Sequence, residues 1–514
     1  MKINSSHFIA LLIFLGTVVT GFIISGDYGI SWDDPSQRAI GITSYDYMFT
    51  NDKEYEKSWH KEYGTAFQVP LIVIEKALNI KDPREIYRVR HLCTFLFFAF
   101  SAFIFYFLIW SLYRKRTLAI AGYLMLLLSP RIFSHAFFNS KDIPFMSMFI
   151  ICFYLFYLAF SKRKIIYFFL FGICCGLLIN IRVMGLILVL FTLFIMLADL
   201  FMEDRKKNLL FFILVYSGVT IIVTVLTWPY LWHNPLKNFF YAFTSMSHYH
   251  WDNYILMFGK FIRSTNIPWW YTLAWMGVTI PIVYLVIGIG GFILLLRQVI
   301  IHSVRYLFHS PERNQLLFIM TFSLPLLAVI IFHSVLYDGW RQMYFIYPSF
   351  LLFAVYGISA IMNSTYRHSA LIKTVTSGFL LFSFCMTGFF MIKNHPFQDI
   401  YFNKVVSHRK QYLRKNFEMD YWGTSYKQAL EYIVHHDTSD HLNIMTANLS
   451  GEQNVMMLNG QDRERIKVVY SFKKANYFIS NYRWHPEDYP YLPNEKFYNI
   501  VVLNSDILSV WKLR

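Results

Sequence analysis

Charge is scarce in this sequence. Only 15% of the 514 residues are Asp, Glu, Lys or Arg, whereas 56% are hydrophobic and 20% aromatic, and the mean hydropathy is +0.39. A soluble chain carries roughly 25% charged residues, so the composition excludes a soluble protein and indicates a polytopic membrane protein. Cysteine is equally sparse. Cys93, Cys152, Cys174, Cys175 and Cys385 all lie in apolar runs, with neither metal-type spacing nor a disulfide framework, and read as small interior residues. There is no Gly-rich nucleotide loop, no internal repeat and no low-complexity segment. No small-x-small cleavage site precedes Gly26, so the first apolar run reads as an uncleaved anchor. The net charge of +16 does not indicate nucleic acid, because the basic residues fall in short clusters between apolar spans, as membrane topology requires.

What is abundant is apolar sequence in pieces of bilayer length. A span needs roughly 20 apolar residues. The candidates are 7–25, 88–111, 117–134, 143–160, 165–181, 184–202, 209–227, 272–296, 316–334, 342–362 and 371–392, which makes about eleven helices. Arg114–Arg116, Lys162–Lys164, Arg205–Lys207, Arg297/Arg305/Arg313 and Arg367/Lys373 fall in every second connection. By the positive-inside rule these connections and Lys2 are cytoplasmic. An eleven-helix count then puts the N-terminus inside and the C-terminus outside.

The division expected is a transmembrane domain, 1–393, and an outer soluble domain, 394–514. The latter holds 15 basic and 13 acidic residues. Helical periodicity over Gly423–His435 and strand-like runs at Leu442–Ala447, Arg465–Tyr470, Tyr477–Tyr482 and Tyr498–Leu503 make it a small α/β domain. In the first outer segment, Gly64–Leu78 reads as an interfacial helix.

Polar groups at membrane depth are costly and mark function by default. Asp33 and Asp34 lie just beyond the first span, where a carboxylate can act as general base on an acceptor hydroxyl or amine. Asp34-Pro35 also reads as a helix cap followed by Pro at the first helical position, which leaves Asp33 unexplained. The second outer connection collects Arg131, His135, Asn139, Lys141 and Asp142. Lys141 can serve a phosphate as a point charge, and Asp142 can cap the fourth span. Arg182 and Arg341 break the positive-inside pattern. Arg182 reads either as a snorkelling charge or as a partner for an anion; with Lys141 and Arg341 it could converge on one phosphate, for which Arg offers a planar fork. His248 and His250 have the spacing of metal ligands, but a pair alone is weak evidence. Without a nucleotide loop, an outward-facing transferase needs a lipid-linked donor.

Trp32-Asp-Asp-Pro-Ser-Gln-Arg38 and Ser129-Pro-Arg131 with Asn139-Ser-Lys-Asp-Ile-Pro144 resemble the GT-C superfamily of polytopic glycosyltransferases that use polyprenyl-phosphate sugars. The branch is the protein O-mannosyltransferase type and its bacterial relatives, including those that transfer aminoarabinose to lipid A. Tyr337-Asp-Gly-Trp-Arg341, His395–Asn403 and Asp420-Tyr-Trp-Gly423 are similar to a bacterial subgroup. The resemblance covers roughly 8–393. It implies a membrane all-α GT-C-like bundle with outer interfacial helices. It implies Asp33 as catalytic base with Asp34 the second acid, where the family usually has Glu. Lys141, Arg182, Arg341 and Arg38 would face the donor phosphate, and Asp142, Asn139, His135 and Arg131 the substrates. The activity expected is inverting transfer of a hexosyl or pentosyl group from a polyprenyl phosphate to a glycan, lipid or protein acceptor on the outer face of a bacterial inner membrane. The partners are the lipid-linked sugar, the acceptor and membrane lipid, not nucleic acid. No cofactor is called for, although a divalent metal stays open. The rivals are a flippase or transporter of lipid-linked glycans, and a glycan polymerase or ligase.

Overall fold

The structure, a computed structural model, describes residues 7–50, 52–202, 206–247, 251–302, 312–366 and 368–514. His248 and His250 lie outside these residues. Among the described residues, eight helices are long and apolar enough to span a membrane, nine if the bent pair Arg116–Leu127 and Pro130–Phe138 is one span. Two more apolar helices, Phe8–Ile24 and Ile165–Ile181, each have 17 residues and occupy the two remaining expected spans. The protein is therefore an integral, multi-pass membrane protein. Residues such as Ile9, Val19 and Ile23 stay exposed on the bundle, as helices apolar all round do in lipid.

Two expected single spans are broken, both at proline. The third bends by 60° between Leu127 and Pro130. The eighth is split into Tyr271–Thr279 and Ile282–His302 around Pro281, which has no N–H to continue the ladder. The first bend matters most. It turns Pro130–Phe138 across the bundle end, where Phe137 stacks on Phe95 at 4.2 Å and on Tyr28 at 4.3 Å. That packing fixes the segment leading to Asn139 and Asp142. Arg313, the first residue of its helix, is buried and pairs with Asp199 near the end of Leu186–Met202 at 2.7 Å.

Polar-face helices fill the first loop: Asp34–Thr50 packs against Gln68–Ala77. The latter buries Gln68, Leu71, Ile72 and Glu75, an i, i+3, i+4, i+7 stripe within the expected Gly64–Leu78. Two short strands, β1 (Tyr254–Met257) and β2 (Lys260–Arg263), form an antiparallel hairpin. Its two-residue Phe258-Gly259 turn has φ of +49° and +74°, the positive-φ pair such hairpins favour.

The C-terminal α/β domain contains β3 (Leu442–Thr446), β4 (Ile466–Val468), β5 (Tyr477–Ser480), β6 (Tyr498–Val502) and β7 (Ser505–Lys512), in the order β4-β3-β5-β7-β6. The β3 strand runs parallel to β4 and β5, whereas β7 runs antiparallel to β5 and β6. Helix Tyr426–His436 buries Ala429, Leu430 and Ile433. The domain grips the first loop: Asn454 accepts from Ile30 N–H and donates to Ile30 C=O, both at 2.9 Å, while Trp32 N–H donates to Trp422 C=O at 3.0 Å. Gly29 permits this approach, because a Cβ there would lie 2.3 Å from the Thr424 carbonyl oxygen and 2.4 Å from Asn454 Oδ1.

Candidate active site

Asp33 occupies the cap position of the Asp34–Thr50 helix, where its carbonyl accepts from Gln37 N–H at 2.9 Å. The expectation that Asp34 is the cap is therefore corrected by one residue. Asp34 is the first helical residue, and its carboxylate turns back to accept from Ser31 N–H and Ser31 Oγ, each at 2.9 Å, with His91 Nε2 at 3.4 Å. Only 1% exposed, it presents no surface to a substrate. Asp33 keeps a side chain 32% exposed. The adjacent acids thus face different surroundings because the helix start points them apart.

Asp33 opens onto a charged cluster built from four distant segments. Arg341 Nη1 lies 3.3 Å from Asp33 Oδ2 and 3.2 Å from Asp142 Oδ2, while Arg341 Nη2 lies 3.2 Å from Asp338 Oδ2. Arg182 pairs with the other oxygen of Asp142. Arg483, from the C-terminal domain, reaches Asp338 Oδ1 at 2.7 Å. Asp338 and Gly339 both have positive φ, +55° and +72°, and this tight turn lets one carboxylate face both guanidiniums. Asn139 Oδ1 accepts from Asp142 N–H at 2.9 Å, and Asn139 Nδ2 donates to Asp142 Oδ2 at 3.0 Å. The capping reading of Asp142 is replaced: here Asn139 holds Asp142 rather than Asp142 the helix.

Lys141 differs from the two arginines. It makes no ion pair among the described residues, and its Nζ lies 4.7 Å from the centre of the Tyr63 ring. Burial, with the Arg182 charge nearby, lowers its pKa to about 8, against the opposing pull of Asp33 and Asp142. Gly64, next to Tyr63, approaches so closely that a Cβ would meet the Asn180 carbonyl oxygen at 1.5 Å, and Thr65 N–H donates to Asn180 Oδ1 at 2.8 Å. This contact holds the ring beside Lys141 and beside the helix end that carries Arg182.

Three expected site residues lie off this cluster. Arg38 is turned to Glu75 Oε2 at 3.0 Å, and Glu75 is shared with buried Arg90 at 2.8 Å. Arg131 donates from Nε to the Tyr401 carbonyl at 2.8 Å, with its guanidinium 4.6 Å from the Phe402 ring. His135 reaches the cluster only through Asn139, whose Nδ2 is 3.3 Å from His135 Nδ1. Its Nε2 receives Trp422 Nε1–H at 3.3 Å and faces Tyr421 Oη at 3.3 Å. Of the three expected lone cations, Arg182 and Arg341 have internal anionic partners and Lys141 alone has none. Sequence reasoning missed Asp338 and Arg483. Asp338 was signalled by its Asp-Gly turn three residues before Arg341; Arg483 had no local signal.

Below the cluster, Asp420 gathers the N–H groups of Gly423 at 2.9 Å and Thr424 at 3.2 Å, with Ser425. Burial raises its pKa to about 6; burial and the nearby Asp420 raise that of Asp399 to about 7. Among the described residues no three His, Cys, Asp or Glu side chains are grouped to hold a metal ion.

Residues 85–228 match the family model described as dolichyl-phosphate-mannose-protein mannosyltransferase. No curated protein sequence matches the chain. Among solved structures, the apo oligosaccharyltransferase of Archaeoglobus fulgidus aligns with a TM-score of 0.50 at 12% identity, over 90% of this chain and 65% of that one. This chain thus spans just under two thirds of its length. The AglB oligosaccharyltransferase of the same organism, in complex with an inhibitory peptide and a dolichol-phosphate, aligns at 0.49 and 11%, over 91% and 69% of the two chains. ArnT from Cupriavidus metallidurans, bound to undecaprenyl phosphate, aligns at 0.46 and 11%, over 99% and 98%. The family match, which includes the Lys141 segment but not the Asp33 segment, and the fold shared with the apo oligosaccharyltransferase bear out the resemblance to the GT-C superfamily.

Proposed function

We propose that this protein is an integral-membrane glycosyltransferase that moves a sugar from a polyprenyl phosphate to an acceptor at the outer membrane face. The observation that carries the reading is a part-exposed carboxylate, Asp33, set beside a cluster in which Lys141, Arg182, Arg341 and Arg483 outnumber the carboxylates of Asp33, Asp142 and Asp338. Such a site has a base at one edge and capacity for one more anion. Transporter and flippase readings account for buried cations but give the exposed acid no task. A polymerase or ligase with a pyrophosphate-linked donor is an enzyme rival.

In the reaction, Asp33 takes the proton of the acceptor hydroxyl or amine as that atom attacks the anomeric carbon. The bond from that carbon to the phosphate oxygen breaks, and its electron pair leaves on the phosphate. Single displacement inverts the anomeric carbon. The leaving group is already an anion, so no acid need protonate it; preorganised cations hold its charge instead. Lys141 meets the phosphate directly, while Asp142 and Asp338 hold Arg182, Arg341 and Arg483 in place. In the family's branch, the donor side faces the periplasm of a bacterial inner membrane.

Purified protein in detergent, given a polyprenyl-phosphate sugar and no nucleotide sugar, should release polyprenyl phosphate and glycosylate an envelope acceptor. Inactivity with polyprenyl-phosphate donors alongside turnover of a pyrophosphate-linked one would establish the polymerase or ligase instead. Transbilayer movement of intact lipid-linked sugar without cleavage would establish the transporter.

A further inference from the structure

The helix Ser369–Lys393 leaves the bundle over its first half. Its buried residues are Leu380, Ser383, Thr387, Phe390 and Met391, and none precedes Leu380. Between that half and the helices Arg116–Leu127 and Tyr347–Asn363 lies a cleft of about 360 Å³, within the roughly 300–1,000 Å³ typical of ligand pockets. It sits at the end of the bundle that carries the basic clusters, opposite Asp33. Leu381 on its wall is 64% exposed, so the cleft opens sideways to lipid.

Its lining changes character along the helices. Lys115, Thr117 and Ser359 mark one end, the first two at the start of a helix and Ser359 one turn before Asn363 ends another. Leu118, Ala121, Leu380 and Phe384 form the wall further into the bilayer. A cationic mouth at head-group depth above an apolar wall matches a phospholipid, with its head group at the mouth and a chain along the wall.

The charge at the mouth has no counterpart in the protein. The two segments that build the cleft, 86–141 and 339–398, contain neither Asp nor Glu. Lys115 donates to Asn363 Oδ1, and Asn363 Nδ2 donates in turn to Ser359 Oγ at 3.4 Å. Both partners are neutral, and the ammonium keeps further N–H donors for an anion. Arg114 lies 4.7 Å from the centre of the Trp110 ring. Like Lys115, Arg116 and Lys373, it forms no ion pair among the described residues. Membrane topology accounts for cations at this end, but not for a cleft between helices that begins at one of them.

We propose that this cleft holds an anionic glycerophospholipid of the cytoplasmic leaflet, its phosphate on Lys115 and one acyl chain along Leu118, Ala121, Leu380 and Phe384. Basic pockets between spans on the cytoplasmic side suit such head groups. The surrounding cations repel the ammonium of a zwitterionic lipid, and the apolar wall gives a soluble phosphate nothing to bind. A polyprenyl phosphate would place its phosphate at the Asp33 end, about 30 Å away across the span. The proposal is independent of the transferase reading.

Native mass spectrometry of the full-length protein in detergent counts bound lipid directly. The probes are phosphatidylglycerol and phosphatidylcholine with identical acyl chains, glycerol 3-phosphate, and undecaprenyl phosphate as competitor. Phosphatidylglycerol should bind saturably and more tightly than phosphatidylcholine, and glycerol 3-phosphate should not bind. Lys115→Ala should weaken phosphatidylglycerol about fivefold, the effect of one basic residue at an anionic membrane surface, and Lys115→Arg should keep most of the affinity. Ala121→Phe should abolish binding by filling the cleft. Lys164→Ala, in a basic cluster that does not line the cleft, should change nothing. Lys115 is exposed, so its variants report even if Ala121→Phe fails to fold. Equal binding of the two phospholipids, equal losses in Lys115→Ala and Lys164→Ala, or full binding by Ala121→Phe would overturn the proposal. Displacement of phosphatidylglycerol by undecaprenyl phosphate would overturn it too, by assigning the cleft to a polyprenyl lipid.

Discussion

At the residue scale, the two adjacent acids are separated by orientation rather than chemistry. Asp33 is part-exposed beside Arg341, and Asp34 is sealed against Ser31 and His91. Asp33→Asn keeps the side chain's size but cannot accept the proton, and losing a positioned base typically costs about 10²–10⁴ in rate. Asp34→Asn should act on stability more than on rate, because its carboxylate holds the turn that leads into the helix. Transfer rate and thermal unfolding, measured on both variants at equal abundance, separate the two; near-normal transfer by Asp33→Asn would remove it as base. Lys141 supplies a pH signature. With its pKa lowered to about 8, it carries its charge below that pH and loses it above. On the proposed function, affinity for a polyprenyl phosphate should therefore be full near pH 7 and fall as pH rises through about 8. Lys141→Met should be weaker throughout and should lose that step. The same step persisting in Lys141→Met would assign it to another group.

At the scale of elements, the position of Asp33 is set by what grips its loop. Gly29→Ala would push a methyl into the Thr424 carbonyl and Asn454 Oδ1. Overpacking of this kind typically costs about 1–3 kcal/mol, and a shift of about 1 Å at a reacting group can cost about 10² in rate. The variant should insert and bind donor yet transfer slowly; unchanged transfer would show that the loop is not held by the C-terminal domain. The buried acids behind it predict a pH effect on stability. The folded-state pKa values of Asp399 and Asp420, about 7 and about 6, lie above the unfolded value near 3.9. Their protonated forms are therefore favoured in the fold. That stabilisation is full below about pH 4 and is lost as pH rises through about 6 to 7. Asp399→Asn should gain melting temperature relative to wild type as pH is raised from 5 to 8, and a gap independent of pH would refute the assignment. These elements also show what a linear reading can reach. Spans, the interfacial helix and four strands follow from local periodicity, so they were legible. Strand β7 was not, because Ser505–Lys512 lacks a clean alternation and is buried over seven of its eight residues. The breaks at Pro130 and Pro281 are local signals that apolar length masked. The convergence of Lys141, Arg182 and Arg341 was legible as isolated cations at helix ends. Their carboxylate partners, and Arg483 from 142 residues beyond Arg341, depend on tertiary contacts that no local pattern carries.

At the scale of the whole molecule, the helices give the membrane two chemically different faces. Asp142 opens the helix that ends at Lys162, next to Arg163 and Lys164. Arg341 opens the span that ends at Asn363, where Asn363 meets Lys115 in the basic cluster after Tyr113. The charged cluster and the basic clusters therefore occupy opposite ends of the same helices, about 30 Å apart for spans of this length. The C-terminal domain is attached to the cluster's end: Arg483 binds Asp338, Asn454 binds Ile30, and Asn403 donates to Gly277 C=O at 2.7 Å. Positive clusters stay on the cytoplasmic side, so the Asp33 loop and residues 394–514 should face away from the cytoplasm together. A reporter active only in the periplasm should work when fused after Arg514, and a cytoplasm-only reporter should work when inserted between Arg114 and Arg116. Cysteine labelling at exposed Trp59 and Tyr491 adds a check independent of fusion, since both positions should react with an impermeant reagent in intact spheroplasts. Labelling at Trp59 without labelling at Tyr491 would place the domain on the other side of the membrane from Asp33. It could not then hold the Asp33 loop, and the proposed mechanism would fall with that contact.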